Sequence, residues 1–245
     1  MNLFIFVNDA LNCDMVIAFE HAAPAGRRER NKQEKRTRLI AAARRLFARK
    51  GFDAATMQDI AQAADLGLGT LYLYAPSKED LLILVSREEL ETHFEAAFAA
   101  RLPGAPLLER LVRLFDVLID YHNSDAEVAR ALMKQLAVTK SPQGRRDARH
   151  ITRRLHDRLR DLVLEAQSSS ELRGDAPVDL LVGNLYAIYR MQLQMWLNEY
   201  MTLAEFRALL RDSLDMQLVA CRAQETETIG RKQWRPVPER SSSAD

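Results

Sequence analysis

In the stretch GLGTLYLYAPSKEDL, residues 67–81, four hydroxyl side chains (Thr70, Tyr72, Tyr74 and Ser77) lie close together, and the first charge is Lys78. Hydroxyls both donate and accept hydrogen bonds, and a helix start exposes free backbone amides, so this composition suits the oxygens of a phosphate. Upstream lies a second feature. Residues 27–50 carry eleven Lys or Arg against Glu29 and Glu34, a net of +9, while the whole chain sums to +1. A basic end on an otherwise acidic chain suits a polyanion, although a solvated helix face has the same composition. The run RRDARHITRRLHDRLRD, with seven Arg and three Asp, could contact an anionic effector or form another solvated face. Other chemistry is thin. His150 and His156 are six apart, which does not bring them to one helical face, and Cys13 and Cys221 fit no metal spacing. There is no nucleophile elbow, no phosphate loop and no pair of catalytic carboxylates, so neither an enzyme nor a cofactor is expected.

The elements that hold these residues are helices. A chain of 245 residues, 47% hydrophobic and 28% charged, is that of a soluble globular protein. Only 9 Gly and 8 Pro, with abundant Ala, Leu, Arg and Glu, favour helix over sheet. No apolar run approaches the roughly 20 residues that span a bilayer, and a reducing, cytoplasmic setting is expected. Residues 1–26 read as an extension of uncertain order: an apolar start lacks basic residues and is broken by Asn8, Asp9, Asn12 and Asp14. From 32 to 50 the positions Leu39, Ile40, Ala43, Leu46 and Phe47 share one helical stripe, and Gly51 offers a left-handed exit. Thr56 can cap a helix over 57–64 with Met57, Ile60, Ala61 and Ala64 inward. A tight link, Asp65-Leu66-Gly67, leads to a helix over 68–74, and Ser77 caps the next. Beyond a break at 103–106, helices are expected at 107–122, 124–138 (capping box Ser124 to Glu127), 145–167, 177–200 and 203–222 (capping box Thr202 to Glu205). The tail, 224–245, is polar and expected to be disordered.

Three helices at 32–50, 57–64 and 68–74 have the proportions of a helix-turn-helix unit. If Leu71 points inward, Thr70 and Tyr72 face outward. The stretch TMQDIAQAADLGLGTLYLYAPSKEDLL resembles the DNA-binding signature of the TetR/AcrR family of transcriptional regulators. The matched positions are Thr56, Ile60-Ala61, Ala63-Ala64, Gly69-Thr70-Leu71-Tyr72, Tyr74, Ser77-Lys78-Glu79 and Leu81. AAARRLFARKGFDAAT resembles the same family's first helix, and ELRGDAPVDLLVGNLYAIYRMQLQMWL more weakly resembles its eighth. The resemblance implies an all-α fold: a helix-turn-helix DNA-binding domain over 27–92, its motif at about 56–75, and a helical ligand-binding and dimerisation domain over 93–223. It also implies a homodimer with recognition helices about 34–36 Å apart on double-stranded operator DNA. By the matched positions Thr56, Tyr74 and Lys78 would meet phosphates, and Gly69, Thr70 and Tyr72 would lie nearer the bases. This chain departs from the family at Asp65 and Gly67, which keep the turn feasible. It also departs at Leu68 and Leu73, which could contact thymine methyls or pack against the protein itself.

The resemblance further implies a small-molecule effector bound by the larger domain. Tyr121, His122, Met133, Gln135 and Tyr189 carry polar tips among apolar neighbours and could line its pocket. On the helix at 177–200 one stripe holds Leu181, Leu185, Ile188, Tyr189, Gln192, Met195 and Trp196. The other side holds Leu180, Asn184, Ala187 and Met191. Such a helix must be buried on two sides, which suits a subunit interface. Leu181, Leu185, Ile188, Gln192 and Trp196, with Leu210, Leu214 and Leu218 of the last helix, are the expected contacts. The expected function is a ligand-responsive repressor. An activator or effector-independent DNA-binding protein of the same fold stays open, as does a helical adaptor or enzyme with a vestigial DNA module.

Overall fold

The computed structural model describes residues 26–99 and 104–223, and the described chain is all-α. Its helices are α1 (Arg27–Ala54), α2 (Met57–Ala63), α3 (Leu68–Tyr74), α4 (Lys78–Ala99), α5 (Leu107–Asn123), α6 (Ala126–Val138), α7 (Pro142–Ser168), α8 (Val178–Leu197) and α9 (Leu203–Val219). Residues 1–25 of the extension expected over 1–26, and the tail expected over 224–245, lie outside the described residues. None of the described helices is long and apolar enough to cross a membrane.

The N-terminal unit forms as its sequence pattern requires. Leu39, Ala42, Ala43, Leu46 and Phe47 make the buried stripe of α1. At Gly51 the chain takes φ 76° and ψ 164°, a conformation open essentially to glycine. The positive φ is the expected one, but the ψ is extended, so the chain turns sharply and Phe52 packs back onto Phe47 with ring centroids 5.6 Å apart. The basic residues at 27–31, ahead of the helix expected from residue 32, are its first turns. Thr56 caps α2 by accepting the Asp59 amide at 3.1 Å. The link to α3 is a Schellman turn: the Leu66 amide donates to Ala61 O at 2.9 Å and that of Asp65 to Gln62 O at 3.1 Å. Asp65 occupies the left-handed position (φ 54°), and its carboxylate accepts from Arg38 Nη1 at 2.9 Å. That bond to α1 helps offset the strain a non-glycine residue brings there.

Three boundaries in the larger part differ from the expected ones. Asp125, not Ser124, caps α6, accepting the Val128 amide at 3.0 Å, while the Ser124 hydroxyl donates back to Tyr121 O at 2.7 Å. Helix α7, expected from residue 145, opens earlier, at Ser141-Pro142: Ser141 accepts the Gly144 amide and Pro142 sits at the first helical position, where its missing N–H costs nothing. The expected division at residue 92 falls inside α4, one continuous helix that packs against α1, α5, α6 and α7. The reciprocal capping box of Thr202 and Glu205 is present at the start of α9.

Candidate nucleic-acid interface and effector clefts

Helix α3 is held by one anchor. Leu71 is completely buried, which alone contributes roughly 2 kcal/mol. With that side chain inward, the neighbouring ones must turn out: Leu73 is 86% exposed, Tyr72 47% and Leu68 38%. Gly69 has open space around it and Thr70 is half-buried. Neither leucine is packed away, so the two remain available to an external partner.

The first turns of α1 run beside this helix. Arg28, Lys32, Lys35 and Arg36 share a cleft with Thr70, Leu73 and Tyr74. Tyr74 binds the two helices together, its hydroxyl donating to Lys32 O at 3.1 Å. Charge missing from α3 is therefore supplied by α1 alongside. Some of it is already engaged: Arg36 pairs with Glu88, Arg38 with Asp65, and Lys50 with Asp59. The hydrogen bonds of Lys50 and of Thr56 hold the Asp59 carboxyl below its ordinary range. Lys78 spends most of its capacity internally. Its ammonium donates to Phe52 O and Asp53 O, both at 2.9 Å, and lies 4.6 Å from the centre of the Phe52 ring. It ties α4 to the exit of α1 and keeps one N–H for an outside acceptor. The Thr56 hydroxyl works within the chain, its oxygen accepting the Asp59 amide and its proton facing the Asp59 carboxylate.

A polar seam joins this unit to the rest. Asp80, buried in the first turn of α4, accepts from Ser77 (3.1 Å), Ser141 (2.6 Å) and Thr139 (3.4 Å). One turn into α7, Asp147 is likewise buried and accepts from Arg87 of α4 at 2.6 Å and Gln143 at 2.7 Å. A methyl group added to Gly144 would stand 2.2 Å from Asp80 Oδ1, so only glycine lets the two helices come this close. The residue types gave no warning of this junction, because its members are scattered over 77–147 and only the fold brings them together.

The five residues expected around an effector do not share one pocket. Tyr121 and His122 line a cleft of about 530 Å³ between α1, α4, α5 and α6. Across it runs a chain absent from the sequence reading: Arg44 pairs with Glu89 at 2.7 Å, and Glu89 accepts from the Tyr121 hydroxyl at 2.9 Å. Burial, then the neighbouring Glu89 charge, pushes the Tyr121 phenol well above its ordinary range. Burial, with the charges of Arg190 and His93, lowers His122 to about 3, so its imidazole is neutral, and its Nδ1 has no partner among the described residues. Met133 and Gln135 belong to a different cleft, beside the exit of α1. Tyr189 is core, stacked on Phe115 at 4.7 Å between centroids.

The expected dimer contacts also need correction. Leu181, Leu185, Gln192, Leu210, Leu214 and Leu218 are buried within the single chain, where α8 and α9 pack on each other, and Ile188 and Trp196 are half-buried against the same core. An inward stripe cannot also face a second subunit. The exposed side is the other one. Leu180, Met191 (63%), Leu209, Met216 (75%) and Val219 form an apolar exposed set on the same two helices.

These features define a helix-turn-helix unit seated on a larger helical domain. Residues 39–85 match the family described as "Bacterial regulatory proteins, tetR family". It is 34% identical over 79 residues to the HTH-type transcriptional repressor KstR of Mycolicibacterium smegmatis, covering 32% of this chain and 39% of that one. With KstR2 of Rhodococcus jostii it shares 32% over 108 residues, 43% of this chain and 53% of the relative. The chain thus spans about half or less of the curated relatives it matches. Among solved structures, Thermus thermophilus FadR in complex with lauroyl-CoA superposes with a TM-score of 0.64 at 21% identity, over 84% of this chain and all of that one. FadR of Bacillus subtilis with stearoyl-CoA gives 0.59 at 21%, over 74% and 97%.

Proposed function

We propose that the chain is a sequence-specific transcriptional repressor that binds double-stranded operator DNA as a homodimer and leaves it when a small molecule binds the larger domain. The observation that carries this reading is α3 itself: one buried leucine, with Thr70, Tyr72, Leu68 and Leu73 turned outward beside the cations of α1. Lys78, with an N–H to spare, meets a phosphate in this reading, and Thr56 and Tyr74 do so by turning their hydroxyl protons from Asp59 and Lys32 O to the duplex. Gly69 allows close approach of the backbone to the groove. No enzymatic role is assigned, and the working compartment is the cytoplasm.

Dimerisation would cover the exposed stripe of Leu180, Met191, Leu209, Met216 and Val219, making a four-helix bundle from two copies of α8 and α9. The effector in this reading is apolar or amphipathic. It enters the cleft lined by Tyr121 and His122 and competes with the Arg44–Glu89–Tyr121 chain that links α1 to α5. Release is a population shift, because a ligand that separates α1 from α5 favours a spacing of recognition helices that no longer fits the duplex. The acyl-CoA esters held by the FadR structures are the first candidates to try.

Fluorescence anisotropy on the intergenic DNA upstream of the gene tests the reading. Binding at low salt, falling steeply as salt rises and weakened about tenfold or more by Tyr72→Ala, is expected. Absence of binding at low salt would overturn it. Light scattering tests the assembly: a dimer is expected for the natural chain and a monomer for Met191→Glu combined with Met216→Glu.

A further inference from the structure

The arginines of α7 fall into two sets. Arg154 and Arg158 face α4 and are held there by Glu91 and Glu95, and Arg160 reaches Asp179. Arg149 and Arg153, spaced i,i+4, face a cleft shared with α8, and neither has a carboxylate at ion-pair distance among the described residues. Arg190 joins them from α8. Its one hydrogen-bond partner among the described residues is the Met133 sulfur, a weak acceptor. The three guanidiniums and Thr152, His156 and Tyr186 line about 460 Å³ of space, and no acidic side chain lines it. His156 packs on the Tyr186 ring at 4.6 Å, and its buried Nε2 has no partner among the described residues.

Like charges at i,i+4 repel, and a third guanidinium from another helix adds to that repulsion. The remedy used elsewhere on α7, a nearby carboxylate, is missing here, and Asp157, four residues beyond Arg153, forms no pair with it. We propose that this cleft is a binding site for the phosphate of a small metabolite, a phosphomonoester or a diphosphate. Guanidinium forks match phosphate oxygens two at a time, and three of them balance a multiply charged group better than a single carboxylate. The hydroxyls of Thr152 and Tyr186 and the His156 nitrogen are placed to engage the remaining oxygens. A duplex is the less suitable partner, because the three arginines converge from two helices into one cleft instead of following a strand of phosphates along one face. The inference is independent of the DNA-binding role of α3.

Titration calorimetry of the full chain with inorganic pyrophosphate tests it, with phosphate and citrate as comparators. Saturable one-to-one binding is expected, weakened about tenfold or more by each of Arg149→Gln, Arg153→Gln and Arg190→Gln, and unchanged by Arg145→Gln, which lies on α7 outside the cleft. Melting temperatures of the Gln variants should equal or slightly exceed that of the natural chain, because no ion pair is lost and like-charge repulsion is relieved, and His156→Phe should weaken binding a few-fold. Any of four results would overturn the proposal: no binding of pyrophosphate, equal loss with Arg145→Gln, citrate binding as tightly as pyrophosphate, or cleft variants that weaken duplex binding while leaving pyrophosphate binding intact. Glycerol 3-phosphate and ADP in parallel titrations separate a monoester ligand from a diphosphate.

Discussion

The face of α3 and the seam between α4 and α7 are built from opposite materials. The face is open and uncharged, held by the buried Leu71 and the Tyr74 bond to Lys32 O, with few other bonds back into the chain. The seam buries two carboxylates, Asp80 and Asp147, each meeting two or three donors, of which Thr139 and Ser141 for the first and Arg87 for the second are far away in sequence. The contrast separates reading from coupling. Residues that meet a partner can change at little cost to the fold, whereas those that join the reading unit to the larger domain are bound by their neighbours' polar needs.

The sharpest way to break this contrast is Arg87→Ala. It leaves Asp147 buried with only the Gln143 amide, and should cost about 3 kcal/mol by chemical denaturation, while Tyr72→Ala on the face should cost no more than about 0.5 kcal/mol. Equal costs would erase the distinction. Next comes Gly144→Ala, whose added carbon meets Asp80 Oδ1 at 2.2 Å and Thr139 Oγ1 at 2.4 Å. A loss of about 2 kcal/mol is expected, together with weaker response to an effector because the seam is displaced. His122 gives a smaller effect, read as a pH slope. Its folded pKa is lowered to about 3 from an ordinary 6.5, so below that ordinary value the unfolded chain takes up a proton that the folded chain refuses. Its contribution is complete at neutral pH and above and is lost as pH falls, by about 1 kcal/mol near pH 5.5. His122→Gln should flatten that part of the melting profile. The smallest effect belongs to Leu73→Ala: unchanged stability, with a loss of about 1 kcal/mol in preference for thymine at its contact. A natural chain already indifferent to thymine there would remove the role given to Leu73.

The same contrast explains what could be read from the chain before its fold was known. The face was legible because its rules are local. Thr56 caps, Leu71 anchors, Gly67 opens and Ala75-Pro76 ends α3, all within a few residues of one another. The seam was not legible, since nothing in the order of residues pairs Asp80 with Ser141 or Arg87 with Asp147. Caps were ambiguous where two capping residues stood side by side: Ser124 and Asp125 both qualify, and α5 takes the serine as its last turn continues. Helix α8 shows another limit. Its two apolar stripes were visible in the sequence, but which one the chain keeps for itself depends on where α9 packs, and it keeps Leu181, Leu185 and Gln192. The effector residues scattered for a related reason, since a polar tip among apolar neighbours describes a core tyrosine such as Tyr189 as well as a cavity wall.

The continuity of α4 has a mechanical consequence. Its 22 residues make a rod about 33 Å long, pinned near its first turn by Asp80 and along its middle by Arg87 and the Arg154–Glu91 pair. A tilt of about 5° around the middle of such a rod moves each end by roughly 1.4 Å, as the length alone dictates. Adding or removing one turn in its distal half would change that displacement without touching a residue assigned to DNA or ligand in the proposed function. In the proposed release from DNA, the gain is therefore an adjustable dimension, set by the length of a lever arm.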